Sequence, residues 1–188
     1  MRPRAVRNRR ARAVTLVEVL NLLTLGAVVA ALAMYGVARY TQHSKTAEAM
    51  SAVSTLAKNA ATYYDASDAT QPLGAAPDAA HAMRHFPTSA KTPVPEDAKL
   101  VEGKRYRSSS ADWSRPPWKD LGFSIVQPQC YAYNFTSDGS GAQAKATATA
   151  QGDLDGDGER SYFSLSVTPD GKLNAVVAPT VETKNTEE

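Results

Sequence analysis

Hydrophobic positions change their period twice along this chain. From Leu16 to Ala38 they run almost unbroken for 23 residues, with only Glu18, Asn21 and Thr24 distinctly polar. As a helix that run is about 34 Å long, enough to cross a bilayer core of about 30 Å. After Arg39 the apolar residues recur at Met50, Val53, Ala57, Ala60 and Tyr64, with Ala49, Leu56 and Tyr63 beside them. Spacings of three and four mark one face of an amphipathic helix. No proline occurs between Val14 and Tyr64, so one continuous helix is predicted, ending in the Asp, Ser, Pro and Gly cluster of 65–74. A membrane helix followed by a separate coiled segment has the same periodicity and stands as the alternative.

The pattern then breaks. Between Gln71 and Pro117, Pro72, Pro77, Pro87, Pro93, Pro95, Pro116 and Pro117 exclude long regular elements and predict surface loops with one short helix. Trp113 and Trp118 in that region read as anchors that pin the loop to a core, with an adhesive aromatic patch as the alternative. Period two appears in the last third: Tyr131, Tyr133 and Phe135; Ala142 through Ala150 at every second residue; Phe163, Leu165 and Val167. Each run has one face to bury and one to wet, the signature of antiparallel strands. Turns at 137–141 and 169–171 join neighbours, 172–177 is expected as the last strand, and the polar tail after Thr180 is expected to be disordered. The predicted fold class is α+β: a long N-terminal helix, hydrophobic in its first half, with an antiparallel β-sheet head packed on the Met50–Tyr64 stripe.

Charge separates the chain into two parts. The 21 basic and 19 acidic residues nearly cancel, but six arginines (Arg2, Arg4, Arg7, Arg9, Arg10 and Arg12) fall in the first thirteen positions, leaving 15 basic against 19 acidic, or −4, beyond them. A mildly acidic body argues against nucleic-acid binding, which needs clustered Lys and Arg on the folded surface. Positive flanks stay cytoplasmic, so everything after Arg39 is expected outside the cytoplasm. A single cysteine, Cys130, excludes an intrachain disulfide and a Cys-based zinc site.

Three readings compete for the apolar segment. A cleavable signal would use the small-x-small site Ala31-Leu32-Ala33, although the run is longer than the usual h-region and carries an acidic residue at its start. A plain single-pass anchor requires only the length. Neither uses Glu18, whose carboxylate costs about 2.5–3.5 kcal/mol in hydrocarbon and so needs a partner or a task. Arg9-Arg10-Ala11-Arg12-Ala13, followed by Val14-Thr15-Leu16-Val17-Glu18-Val19-Leu20, resembles the processing motif of type IV prepilins and pseudopilins: a short basic leader, a small residue before the cut, then an apolar residue, Thr-Leu-apolar-Glu and a long hydrophobic helix. The resemblance covers Arg9 to about Tyr64. Ala13 stands where the family nearly always has Gly, Val14 where Phe or Met is usual, and the proline that kinks many such helices is missing.

That resemblance implies a division of the chain: a leader over 1–13, a transmembrane and filament-core helix over 14–38, its amphipathic continuation over 39–66, a Pro-rich region over 67–120, a sheet head over 121–180 and a tail over 181–188. It implies cleavage of the Ala13–Val14 bond by a prepilin peptidase and N-methylation of Val14. It also implies assembly through Glu18, Thr15 and Leu16, with Glu18 pairing the amino terminus of a neighbouring subunit. The implied partners are other pilin subunits, the peptidase and an inner-membrane assembly platform. The implied location is the inner membrane before assembly, then a periplasmic or cell-surface filament serving secretion, motility or adhesion. The competing expectation is an exported or membrane-tethered binding module that does not assemble.

One further pattern carries candidate chemistry. Asp153-Leu-Asp155-Gly-Asp157-Gly158-Glu159 fits D-x-D-x-D-G, in which alternating carboxylates curl round a hard cation such as Ca2+. The twelfth position, Ser164, falls in an expected strand and cannot supply the bidentate carboxylate, so any calcium site needs completion from elsewhere or is weak. An Asp/Gly-rich hairpin loop explains the same residues for backbone reasons. His81 and His85, four apart, are only two ligands and read as solvated histidines. Asn134-Phe135-Thr136 matches a glycosylation sequon. No nucleophile and base pairing, metalloprotease motif or phosphate loop is present, and no enzyme is expected.

Overall fold

The computed structural model describes residues 15–67 and 84–186. The expected leader, with the Ala13–Val14 bond, and His81 lie outside the described residues. The fold is α+β: a long helix, α1, spans Leu16–Ala66, and among the described residues five strands follow, β1 Ala132–Asp138, β2 Lys145–Gly152, β3 Ser161–Pro169, β4 Ala175–Val177 and β5 Glu182–Lys184. A short helix, α2, covers Ser110–Trp113. The chain forms two compact units, 1–41 and 42–188.

In the first unit every described residue of α1 up to Thr41 whose side chain is described is exposed. Leu16, for instance, is 85% exposed and Met34 72%. By length and composition this helix could cross a membrane, and its most apolar stretch has none of its residues buried within the chain.

In the second unit the buried stripe of α1 is Ala49, Val53, Leu56, Ala57, Ala60 and Tyr64. Met50, expected on that face, is exposed, and Ala49 takes its place one residue earlier. The stripe shares one buried cluster with Tyr133 and Phe135 of β1, Ala146, Ala148 and Ala150 of β2, and Phe163, Leu165 and Val167 of β3. Register explains the run of alanines: Tyr133 pairs with Ala150 and Ala150 with Phe163, while Phe135 pairs with Ala148 and Ala148 with Leu165. Each row across the sheet is large, small, large, so the central strand leaves room for the rings on either side. The opposite face carries Thr147 and Thr149, both half-buried.

The sheet order is β1-β2-β3-β4, all antiparallel, and β5 also pairs with β3. Thus β4 and β5 occupy successive stretches of the same edge of β3, interrupted around Pro179. The expectation of a disordered tail is corrected over 182–184. Glu182, Thr183 and Lys184 are exposed and polar, and what orders them is the row of backbone hydrogen-bonding groups along β3. The second strand is also corrected. It was expected from Ala142, but Gly141–Gln143 is a 3-10 turn, because Gly139 and Gly141 take positive φ and turn the chain before the alternation begins. The free edge of β1 is covered by the segment before it, with Val94 and Tyr133 exchanging backbone hydrogen bonds at 2.9 Å each and Ala90 N–H donating to Phe135 O at 2.8 Å.

Polar side chains of α1 fasten its C-terminal part to the sheet and the loops beside it, among them Asp65, whose Oδ1 accepts from Ala175 N–H of β4 at 2.9 Å. Glu48 Oε1 accepts from the Tyr133 hydroxyl at 3.0 Å and from Cys130 N–H at 3.1 Å. The Tyr133 phenol is held far above its ordinary value, by burial first and then by the Glu48 charge, so it stays a donor. At the helix end the Tyr64 hydroxyl donates to Gly141 O at 2.8 Å.

The alternation of sizes makes a prediction. Ala150→Leu should cost about 1–3 kcal/mol by overpacking, whereas Thr149→Val, one residue away on the other face, should change stability by less than about 1 kcal/mol. Thermal unfolding of the full chain in detergent reads both; equal effects would contradict the register.

Candidate functional site

The start of α1 and the loop between β2 and β3 hold the described candidate residues. At the helix start Thr15 precedes the first helical residue, and its Oγ1 accepts from Glu18 N–H at 3.2 Å. That is half of a capping box, in which a Thr caps the amide three residues on and a Glu follows at that position. The contact gives Glu18 a local role in the first turn, where the exposed amides also favour its negative charge. Leu16 and Glu18 are both exposed, so the structure brings Thr15, Leu16 and Glu18 together on the first turn with none of the described residues over them.

The acidic loop is more closed. Asp153 is fully buried, and its two oxygens accept from Gly156 N–H at 2.6 Å and Gly158 N–H at 2.9 Å. Asp155 Oδ1 accepts from Asp157 N–H at 3.2 Å, and Asp157 Oδ1 from Glu159 N–H at 2.7 Å. Gly156 and Gly158 both have positive φ, 85° and 97°, which an L side chain resists. The loop is tied to its surroundings by Gly103 N–H donating to Asp153 O at 2.9 Å, by Lys45 Nζ donating to Leu154 O at 3.4 Å and by the Arg160–Glu102 ion pair at 2.7 Å.

One carboxylate oxygen from each of Asp153, Asp155 and Asp157 lies within 4.8 Å of the others. All-oxygen donors of this kind suit a hard cation, and these three would hold it. Yet every one of the three already accepts a backbone amide, and Ser164 at the twelfth position sits in β3, where its hydroxyl donates to Glu182 Oε2 at 3.3 Å. The loop is therefore complete as a hydrogen-bonded turn.

Trp113 and Trp118 are both buried, with ring centroids 5.2 Å apart, and Phe123 lies 5.4 Å from Trp113 and 6.1 Å from Tyr133. They anchor the loop, and an adhesive patch built on these indoles is excluded. His85 is exposed beside Tyr63. Asn134 of the sequon is half-buried in β1. A groove of about 550 Å3 between the 48–55 stretch of α1 and the 122–128 segment has Glu48 as its one ionisable lining residue among the described residues, and that carboxylate is engaged by Tyr133 and Cys130. Glu48 was missed in the sequence because a polar residue beside an apolar helical stripe looks like any solvated one.

No family model matches this sequence, and neither a curated protein nor a solved structure matches it.

If the acidic loop is a turn, its three aspartates are unequal. Asp153→Ala should cost about 1.5–3 kcal/mol, because the loop loses the fully buried carboxylate that accepts two of its amides, while Asp155→Ala and Asp157→Ala, both exposed, should each cost less than about 1 kcal/mol. The melting temperature of the wild-type full chain should be the same with calcium or chelator; equal losses in all three variants and a drop with chelator would assign the loop to a cation instead.

Proposed function

We propose that this chain is a subunit of a type IV pilus-like filament: made as a prepilin, held in the inner membrane by its apolar helix, cut between Ala13 and Val14 with methylation of Val14, and assembled through that helix. The observation that carries this reading is the first unit of α1. Its apolar surface has no cover from the described residues over more than twenty positions, and it begins with a motif whose only strongly polar member, Glu18, is exposed. A span of that kind is stable in lipid, and close to other helices it gains van der Waals packing and a partner for the carboxylate. Glu18 pairs the new amino terminus of a neighbouring subunit, since two opposite charges in a low dielectric are each costly alone and tolerable together. The head, outside the cytoplasm, has a structural role and no catalytic one.

A second reading is favoured by the cap itself. If the Glu18 amide and the Thr15 hydroxyl serve only the first helical turn, α1 is a plain anchor and the chain is a tethered exported binding module. Glutamine fills the Glu place in a capping box equally well, which separates the two readings. For the filament, Glu18→Gln and Glu18→Ala should both leave membrane insertion intact and reduce sheared filaments to a small fraction of wild type. Wild-type filament yield from Glu18→Gln would overturn the pairing role and leave the cap.

A further inference from the structure

We infer that Asn21 makes a second register-setting contact between copies of this chain, its side-chain amide donating to the Glu18 carboxylate of a neighbour displaced along the helix axis by about three residues. The inference rests on the filament reading and deepens it by naming a further contact between the same subunits.

Thr15, Glu18, Asn21 and Thr24 follow one another at intervals of three, all exposed. Successive members lie about 60° apart round the helix, so they form one winding ridge along its surface. The two hydroxyls are used locally: Thr15 Oγ1 accepts from Glu18 N–H at 3.2 Å and Thr24 Oγ1 donates to Asn21 O at 3.0 Å. The Glu18 carboxylate and the Asn21 carboxamide have no partner among the described residues. Within an apolar span each is unstable alone, and lipid tails offer neither donor nor acceptor.

The complement of this pair is the same pair on a second copy. With two parallel copies level, Glu18 faces Glu18, which sets like charges together. A shift of three residues, about 4.5 Å, sets the Asn21 amide of one copy opposite the Glu18 carboxylate of the other, donor against acceptor. The contact is heterologous: each copy offers Glu18 to one neighbour and Asn21 to another. A repeated displacement of this kind does not close and builds a filament, not a dimer. Val14 precedes Glu18 by four in the sequence, one residue more than this shift. The Asn21 contact sets register as one buried polar residue fixes register in a coiled coil.

The test is filament yield from the full chain in its own host, with membrane content of each variant measured alongside. Asn21→Leu removes the donor and keeps insertion favourable; its filaments should fall about threefold to tenfold, the size of one interhelical hydrogen bond. Asn21→Asp, which sets a carboxylate against Glu18, should lose them, and Asn21→Gln, which keeps the donor, should hold yield within about twofold of wild type. If Asn21→Leu fails to accumulate in membranes, the Asp and Gln variants decide by the same criteria. Normal filaments from Asn21→Asp while Glu18→Ala abolishes them would overturn the Asn21 contact and leave the filament reading standing. Normal filaments from Glu18→Ala would overturn both.

Discussion

An apolar helix surface uncovered by its own chain must be covered by something else. From Leu16 to the end of the first unit the described side chains of α1 are exposed among the described residues, and burying a single Leu or Val contributes about 1.5–3 kcal/mol. By length and composition the helix could meet that demand in a bilayer, and on the reading proposed above neighbouring helices then meet it. The functional question reduces to the few polar groups that ride along. Apolar surface is indifferent to register, whereas a carboxylate or a carboxamide in hydrocarbon is not. Glu18 and Asn21 therefore carry more information about what α1 meets than all the leucines between them.

The head obeys the opposite logic, because its apolar surface is covered from within. Alternating sizes across β1, β2 and β3 fit the rings of Tyr133, Phe135 and Phe163 beside the alanines of β2, in one cluster with the stripe of α1. Polar groups there are placed to hold elements together: Glu48 joins helix to β1, Tyr64 joins the helix end to the β1–β2 turn, and Asp153 closes the β2–β3 loop. Asp153, with both oxygens engaged by its own loop, shapes the backbone there, while Asp155 and Asp157 each accept one amide through Oδ1.

Much of this architecture was legible in residue periodicity. Spacing of three and four found Val53, Ala57, Ala60 and Tyr64, and period two found the inward residues of β1 to β3. It failed where another force decides. Ala142 continues the alternation, yet two glycines at positive φ bend the chain before the strand can start. Glu182, Thr183 and Lys184 have no apolar member, and their order comes from backbone pairing that no side-chain pattern announces. At the helix start, Glu18 was visible as an anomaly, while its partnership with the Thr15 hydroxyl appeared only with the backbone in place. Glu48 was invisible for a similar reason, since its partners lie 82 and 85 residues away.

The central claim is that the apolar helix begins a processed filament subunit, and the amino terminus of the mature protein tests it most directly. The terminal residue and intact mass of the chain should be determined on protein taken from membranes of its own host. The account predicts a chain starting at Val14 with a methylated amine. A chain starting at Met34, cut after Ala33, or one retaining Met1, would contradict it and leave an exported module or a plain anchor in its place.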